Sequence, residues 1–278
     1  MTNIKELYDR EDELYEYDGE DKVVSSKEFE SELQKEPPRI KIDSQIPSLD
    51  ESIESFEVGE LIVVSGPTKN GKSSVCHTLT KNFENQGVKS LWFSYEVTPR
   101  QLFSKFKVAE EFYLPKKLKT KNMEWIRDRI IEAKAKYQIK TVFIDHLHYL
   151  YDMEKSKNSS LEIGTIIREL KQMCVDFDIV IFLMAHMTKT KYDEMPTESD
   201  LRDSSFITQE ADSTFIVWRE RKKSKHSLEY EFTGKTFLIV SNHRRAGTMG
   251  KIIKLDFINN EFVEEESEYD KVLREATQ

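Results

Sequence analysis

Cysteine is nearly missing from this chain: Cys76 and Cys174 are the two among 278 residues. They form no metal-type spacing, which excludes a cysteine-ligated metal module. Each sits in a helical apolar pattern, so buried, reduced thiols are expected, as in a reducing cytosol. Net positive charge is missing as well. Against 51 acidic side chains there are 42 basic ones, a balance of −9. That excludes a protein that coats nucleic acid with its whole surface, but not one with a local basic channel. No apolar run approaches the roughly 20 residues of a membrane span, and the acidic start MTNIKELYDRED has no signal-peptide core. There is no internal repeat. These absences lead to the expectation of a soluble, cytoplasmic protein with no membrane contact.

What is present is enough apolar residue, 38%, for one large domain with extensions. The first 24 residues are dominated by Asp, Glu and Tyr, lack an apolar period and are expected to be flexible. In SSKEFESELQKE, Ser25 and Glu28 have capping-box spacing, while Phe29 and Leu33 make a narrow apolar stripe. A short linker helix over about 25–36 is expected, ended by Pro37-Pro38 and too short to stand without a surface to dock on. The expected organisation is an extension over 1–41, a large domain over 42–264 and an acidic tail over 265–278.

From about residue 58 strands and helices alternate. LIVVS, SLWFSYE, TVFID, IVIFLMA and STFIVWR read as strands. Helices are expected from Lys72 to about Asn85 and over roughly 99–113, 122–137 and 160–176. TFLIVSNH and KIIKLDF read as a closing antiparallel pair at one edge. Apolar runs separated by helices imply an α/β fold: a mostly parallel twisted sheet with helices on both faces.

The stretch Gly66-Pro67-Thr68-Lys69-Asn70-Gly71-Lys72-Ser73-Ser74 fits the phosphate-loop pattern, between a strand and a helix. The glycines let backbone N–H groups turn around phosphates, and the helix N-terminus adds partial positive charge. Lys72 is placed to reach the β- and γ-phosphates, and the Ser73 hydroxyl to bind Mg²⁺. A nucleotide with Mg²⁺ is therefore expected, though the loop alone does not say what is done with it. Asp145 ends the strand TVFID, where a carboxylate suits a Mg²⁺ contact or a helix cap. Glu96 ends SLWFSYE. It is either a proton acceptor for an attacking water or an ordinary surface Glu, since Thr98-Pro99 already starts the next helix. His186 follows IVIFLMA, as a γ-phosphate reporter or a structural histidine.

In order, GELIVVSGPTKNGKSS, FSYEVTPRQL, TVFIDHLHYL, DLRDSSFITQEAD and HRRAGTMG resemble the motor domain of DnaB-like replicative helicases, RecA-like ATPases, over about residues 42–263. The phosphate loop is generic, whereas the last two segments are specific. The resemblance implies a RecA-like sheet, Glu96 as catalytic glutamate and Asp145 as Walker B aspartate. His186 stands where the family usually carries Gln, coupling γ-phosphate to DNA. Arg245 matches the arginine finger that reaches a neighbour's nucleotide, and His243 replaces a Lys two residues before it. Arg219 is grouped with the nucleotide contacts.

The resemblance further implies ATP-driven helicase or translocase activity on single-stranded DNA by a ring, expected to be a hexamer. Lys155, Lys157, Asn158, Lys189, Lys191 and Arg202 lie in the loops expected to face the strand. No aromatic-rich platform accompanies them, so sequence-specific reading is not expected. The family generally carries a helical N-terminal collar that meets primase; with only about 45 residues there, collar and primase functions are expected to be absent or supplied by another protein, as a loader or primase would be. The alternative is a RecA-like ATPase that acts as a protein-directed switch or scaffold in replication or repair, without unwinding.

Overall fold

The computed structural model describes residues 10–11, 13–106, 111–151, 159–187, 194–201, 204–223 and 230–265. The chain divides into two compact units, Met1–Arg39 and Ile40–Gln278. In the first, helix α1 (Ser26–Leu33) is capped by the Ser25 side chain, which accepts from the Glu28 N–H. Phe29 and Leu33 remain about half exposed, at 53% and 49%. No helix among the described residues is long and apolar enough to cross a membrane.

The second unit opens with a small antiparallel pair, β1 (Lys41–Ile42) and β2 (Phe56–Glu57), around helix α2 (Pro47–Ile53). The main sheet follows: β3 (Leu61–Ser65), β4 (Ser90–Ser94), β5 (Thr141–Asp145), β6 (Val180–Met184), β7 (Ser213–Lys223), β8 (Tyr230–His243), β9 (Thr248–Ile258) and β10 (Glu261–Glu264). Its order is β10-β9-β8-β7-β3-β6-β5-β4. The strands from β7 to β4 run parallel, and β8, β9 and β10 are added antiparallel at the other end. This is the mostly parallel sheet with antiparallel edge strands that the alternation of runs implies.

Side chains on a strand alternate between faces, and the core divides accordingly. Ile62, Val64, Trp92, Phe143 and Phe182 meet Val75, Leu79 and Phe83 of helix α3 (Lys72–Asn85) on one face. Their neighbours Leu61, Val63, Phe93, Ile144 and Ile181 meet two other helices on the opposite face. These contribute Ile126 and Ile130 from α5 (Met123–Tyr137), and Ile167 and Leu170 from α6 (Ser159–Asp176). Within the first core, Trp92, Phe143 and Phe182 stack with centroids 4.7 Å apart at each step. Both cysteines are buried and unpaired, and burial pushes both thiols up, as expected for inert core residues.

One expected helix is cut short. Over 99–113 the helix α4 is only Pro99–Phe103, started by the Thr98–Gln101 capping box. The chain then turns inward to bury Phe106 and Phe112. It rejoins edge strand β4 through Tyr113, which donates to the Ser90 carbonyl at 2.8 Å and accepts from the Trp92 N–H at 2.8 Å. An edge strand offers unpaired backbone, and satisfying it outweighs continuing the helix. Strands β1 and β2 escape the sequence because two residues carry no readable alternation. Helix α2 is not anticipated from the sequence either, although Pro47 at its first turn suits a helix start.

Candidate nucleotide site

Strand β3 delivers the chain into the phosphate loop at the centre of the sheet, between β6 and β7. Gly66 adopts φ +146°, and a Cβ there would collide with the Val217 carbonyl oxygen. The loop can therefore leave the sheet only with glycine at this position. Gly71, at φ +99°, is the N-cap of α3 and offers no side chain to its N–H groups, which leaves them facing the loop.

The loop is held from both sides. Asn70 donates to the Thr68 carbonyl at 3.1 Å, and its Oδ1 accepts from the Arg219 N–H of β7 at 2.7 Å. Lys72 is buried, and its Nζ donates to the carbonyls of Gly66 at 2.9 Å and Pro67 at 3.3 Å. Burial pulls the Lys72 pKa down against the opposing pull of Glu96 and Asp145. The Ser73 hydroxyl donates to Asp145 Oδ2 at 3.1 Å. Burial favours the neutral form of Asp145, but the neighbouring His146 imidazole and the Ser73 hydroxyl outweigh it and hold the carboxyl below its usual range. A serine hydroxyl and an ionised carboxylate oxygen side by side form the oxygen donor pair that Mg²⁺ takes.

A cleft of about 460 Å³ opens over the loop. It brings together Thr68, Lys69, Gly71, Lys72, Ser73 and Ser74 with Glu96, His186 and Arg219. Arg219 also lays its guanidinium over the Phe232 ring, 4.1 Å from the centroid. Asp145 joins these residues through Ser73. The His186 pKa is pushed down to about 4, first by burial and then by the neighbouring His146 and Lys72. Its imidazole is therefore neutral at pH 7.

The cleft also contains residues not anticipated from the sequence. Lys105 comes from the turn after α4, while Phe257 and Phe262 of β9 and β10 form an apolar wall. Their rings lie 4.8 Å apart. No local motif marks them, because they reach the loop through the antiparallel addition to the sheet.

Arg245 and His243 lie elsewhere. In the turn between β8 and β9, Arg245 Nε donates to Glu60 Oε1 at 2.8 Å, and Nη2 to the carbonyls of Ile53 at 3.0 Å and Ser55 at 2.6 Å. Its Nε is also 3.7 Å from Glu57 Oε2, and its Nη1 is 3.5 Å from Glu54 Oε2. His243 is fully buried, with Nε2 3.6 Å from Glu60 Oε1 and Nδ1 accepting from the Ala246 N–H. Although burial favours neutral Glu60, the nearby His243 imidazole and hydrogen bonds from the Glu57 N–H and Arg245 hold its pKa down. Lys155, Lys157, Asn158, Lys189, Lys191 and Arg202 lie outside the described residues.

The segment DLRDSSFITQEAD ends in a structural anchor. Asp212 accepts from the Leu61 N–H at 2.8 Å and pairs with Lys171 of α6 at 2.7 Å. Lys171 also donates to the Gly59 carbonyl at 2.8 Å. The carboxylate thereby fixes the start of β3, the strand that feeds the phosphate loop.

Known proteins are similar to this chain in sequence and fold. Residues 111–264 match the model of the DnaB-like helicase C terminal domain. The replicative DNA helicase DnaB of Rickettsia typhi is 26% identical over 271 residues, covering 77% of this chain and 54% of that protein. The chain spans about half the length of the curated relatives it matches. Two solved structures share the fold. A DnaB-like replicative helicase, described together with its interactions with primase, gives TM-score 0.68 at 19% identity, over 95% of this chain and 71% of that one. A KaiC-like protein from the hyperthermophilic archaeon Pyrococcus horikoshii gives TM-score 0.60 at 16% identity, over 82% of this chain and 100% of that one. With more than half of its residues matched, and with a RecA-like sheet carrying the phosphate loop at its centre, this chain belongs to the DnaB-like helicase C-terminal domain family.

Proposed function

We propose that this chain is an ATP-hydrolysing motor that drives a helicase ring along single-stranded DNA in replication. The observation that supports it most is the convergence of Lys72, the Ser73–Asp145 pair, Glu96 and His186 on one cleft. Backbone N–H groups of the loop and the first turn of α3 hold the phosphates. Lys72 exchanges its two carbonyl contacts for the β- and γ-phosphate oxygens and offsets their charge. Ser73 and Asp145 would hold Mg²⁺, which would supply further neutralisation of the phosphates. Glu96 accepts a proton from the attacking water, and its partly exposed position leaves it open to that water. His186, neutral at pH 7, hydrogen-bonds at the γ-phosphate end and reports its presence to the loop that follows β6. Phe257 and Phe262 offer the apolar side of the cleft to the base.

Arg245 acts in trans, on the nucleotide of a neighbouring copy, because it lies outside the cleft of its own chain. To do so it leaves Glu60 and the two carbonyls, so formation of the subunit interface must outcompete that network. His243 supports the same turn from its place against Glu60 and Ala246. The basic residues Lys155, Lys157, Lys189, Lys191 and Arg202 track the strand's phosphates. A hexameric ring, a loader and a primase supplied by other chains, and an extension over 1–41 preceding the motor over 42–264, complete the reading. The test is the steady-state ATPase rate with and without single-stranded DNA. Stimulation by DNA supports the motor, whereas an indifferent rate favours a protein-directed switch.

A further inference from the structure

Three of the six histidines gather where β5 and β6 end: His146, His148 and His186. The rings of His146 and His186 have centroids 4.0 Å apart, and His148 lies 5.1 Å and 5.3 Å from them. The His146 side chain is 7% exposed, yet its Nδ1 has no hydrogen-bond partner among the described residues. The buried Nδ1 of His186 has none either. A buried polar atom left without a partner is costly, and two such atoms in adjacent rings call for a common partner. Glu96 faces them, with Oε2 3.5 Å from His146 Nδ1. One donor atom from each of Glu96, His146 and His186 lies within 4.8 Å of the others. Asp145 Oδ1 is 3.6 Å from the same His146 nitrogen.

Two imidazole nitrogens and one carboxylate oxygen form the donor set of an open zinc site. With bonds of about 2.0–2.1 Å and tetrahedral angles, neighbouring donors stand roughly 3.3–3.5 Å apart. The Glu96–His146 separation of 3.5 Å already meets that spacing, and side-chain adjustment at Glu96 and the two imidazoles has to close the remaining separations, all within 4.8 Å. The all-oxygen Ser73–Asp145 pair suits Mg²⁺, whereas imidazole selects borderline cations. One cleft thus offers two donor sets of different preference.

The geometry points to Glu96, His146 and His186 as a site for a borderline divalent cation of the zinc class, whose occupancy takes up the Glu96 carboxylate and stops hydrolysis. The metal site stands on the donor geometry alone. The inhibitory consequence rests on the reading of Glu96 as proton acceptor.

The test uses the full chain freed of metal. Co²⁺ is titrated while its visible absorption is followed, and Zn²⁺ is titrated in competition with a chromophoric chelator. One equivalent is expected to bind, with affinity weakened by more than about 100-fold in His146→Phe, beyond the loss of an outer-shell partner. His146→Asn provides a second variant, and circular dichroism checks that each is folded. No binding to wild-type protein, or equal binding to folded His146 variants, overturns the site. In parallel, Zn²⁺ added to Mg·ATP turnover is expected to inhibit wild-type protein, reversibly on chelation, and to leave each variant at its own metal-free rate. Binding without inhibition overturns the inhibitory half. Glu96→Gln measured in metal-free buffer tests the proton-acceptor reading separately.

Discussion

At Gly66 a positive φ and the nearness of the Val217 carbonyl leave no room for a side chain. Gly66→Ala is expected to lower stability by about 1–3 kcal/mol in urea denaturation, the usual cost of overpacking, and to weaken nucleotide binding. Glu96 and Lys72 separate by kinetics. Glu96→Gln is expected to retain ATP binding and to reduce turnover by about 10²–10⁴-fold, the range of general-base contributions. Unchanged turnover would remove Glu96 as the base. Lys72→Ala is expected to abolish hydrolysis, because it removes the ammonium that would leave the Gly66 and Pro67 carbonyls for the phosphates and offset their charge. The phosphate loop, Glu96, Asp145 and His186 can be located in the sequence because each follows a strand that reads as an apolar run, but position alone leaves Glu96 and His186 open between a functional and an ordinary role, and only the family resemblance implies their roles. His146 is hidden there: one residue past Asp145, it can be read as part of a strand end, and only the fold brings it against Glu96 and His186.

Helix α3 couples the loop to the sheet at the next scale. His77 lies on its buried side against Trp92 and Phe106, with ring centroids 5.0 Å and 4.7 Å away. Burial, with the positive charge of Lys105 added, pushes its pKa down from 6.5 to about 3. Above pH 6.5 neither folded nor unfolded chain protonates it, so stability is unaffected. As pH falls from 6.5 towards 3, the unfolded chain takes up the proton first and stability declines. Urea midpoints measured between about pH 7 and 5 are expected to fall in the wild type and to fall less steeply in His77→Phe. Parallel slopes would contradict this assignment. The Asp212 anchor gives a second test at this scale. Asp212→Ala strands the Leu61 N–H and removes the Lys171 partner, at an expected cost of about 1.5–3 kcal/mol in urea denaturation, the range for hydrogen bonds to charged groups. Strands β3 to β9 and the long helices are readable from their apolar runs and period alone, whereas the four-residue β10 carries no such run. The end of α4 is not, because Tyr113 is drawn away by the open backbone of β4, a partner that exists only in the assembled sheet.

At the scale of the whole molecule, the proposed motor would join a nucleotide cleft to work on DNA through copies of the chain. Arg245 is the residue through which neighbours would sense each other, and its contacts with Glu60, Ile53 and Ser55 show what it must leave. If Arg245 acts in trans, Arg245→Ala mixed with wild-type chain is expected to depress activity below simple dilution, and proportional dilution would contradict the trans role. The most direct measurement of the central claim is steady-state ATP hydrolysis with and without single-stranded DNA, with Lys72→Ala as the blank. The expected rate rises strongly when DNA is added and vanishes in the blank. A rate that DNA leaves unchanged would contradict a motor that grips a strand.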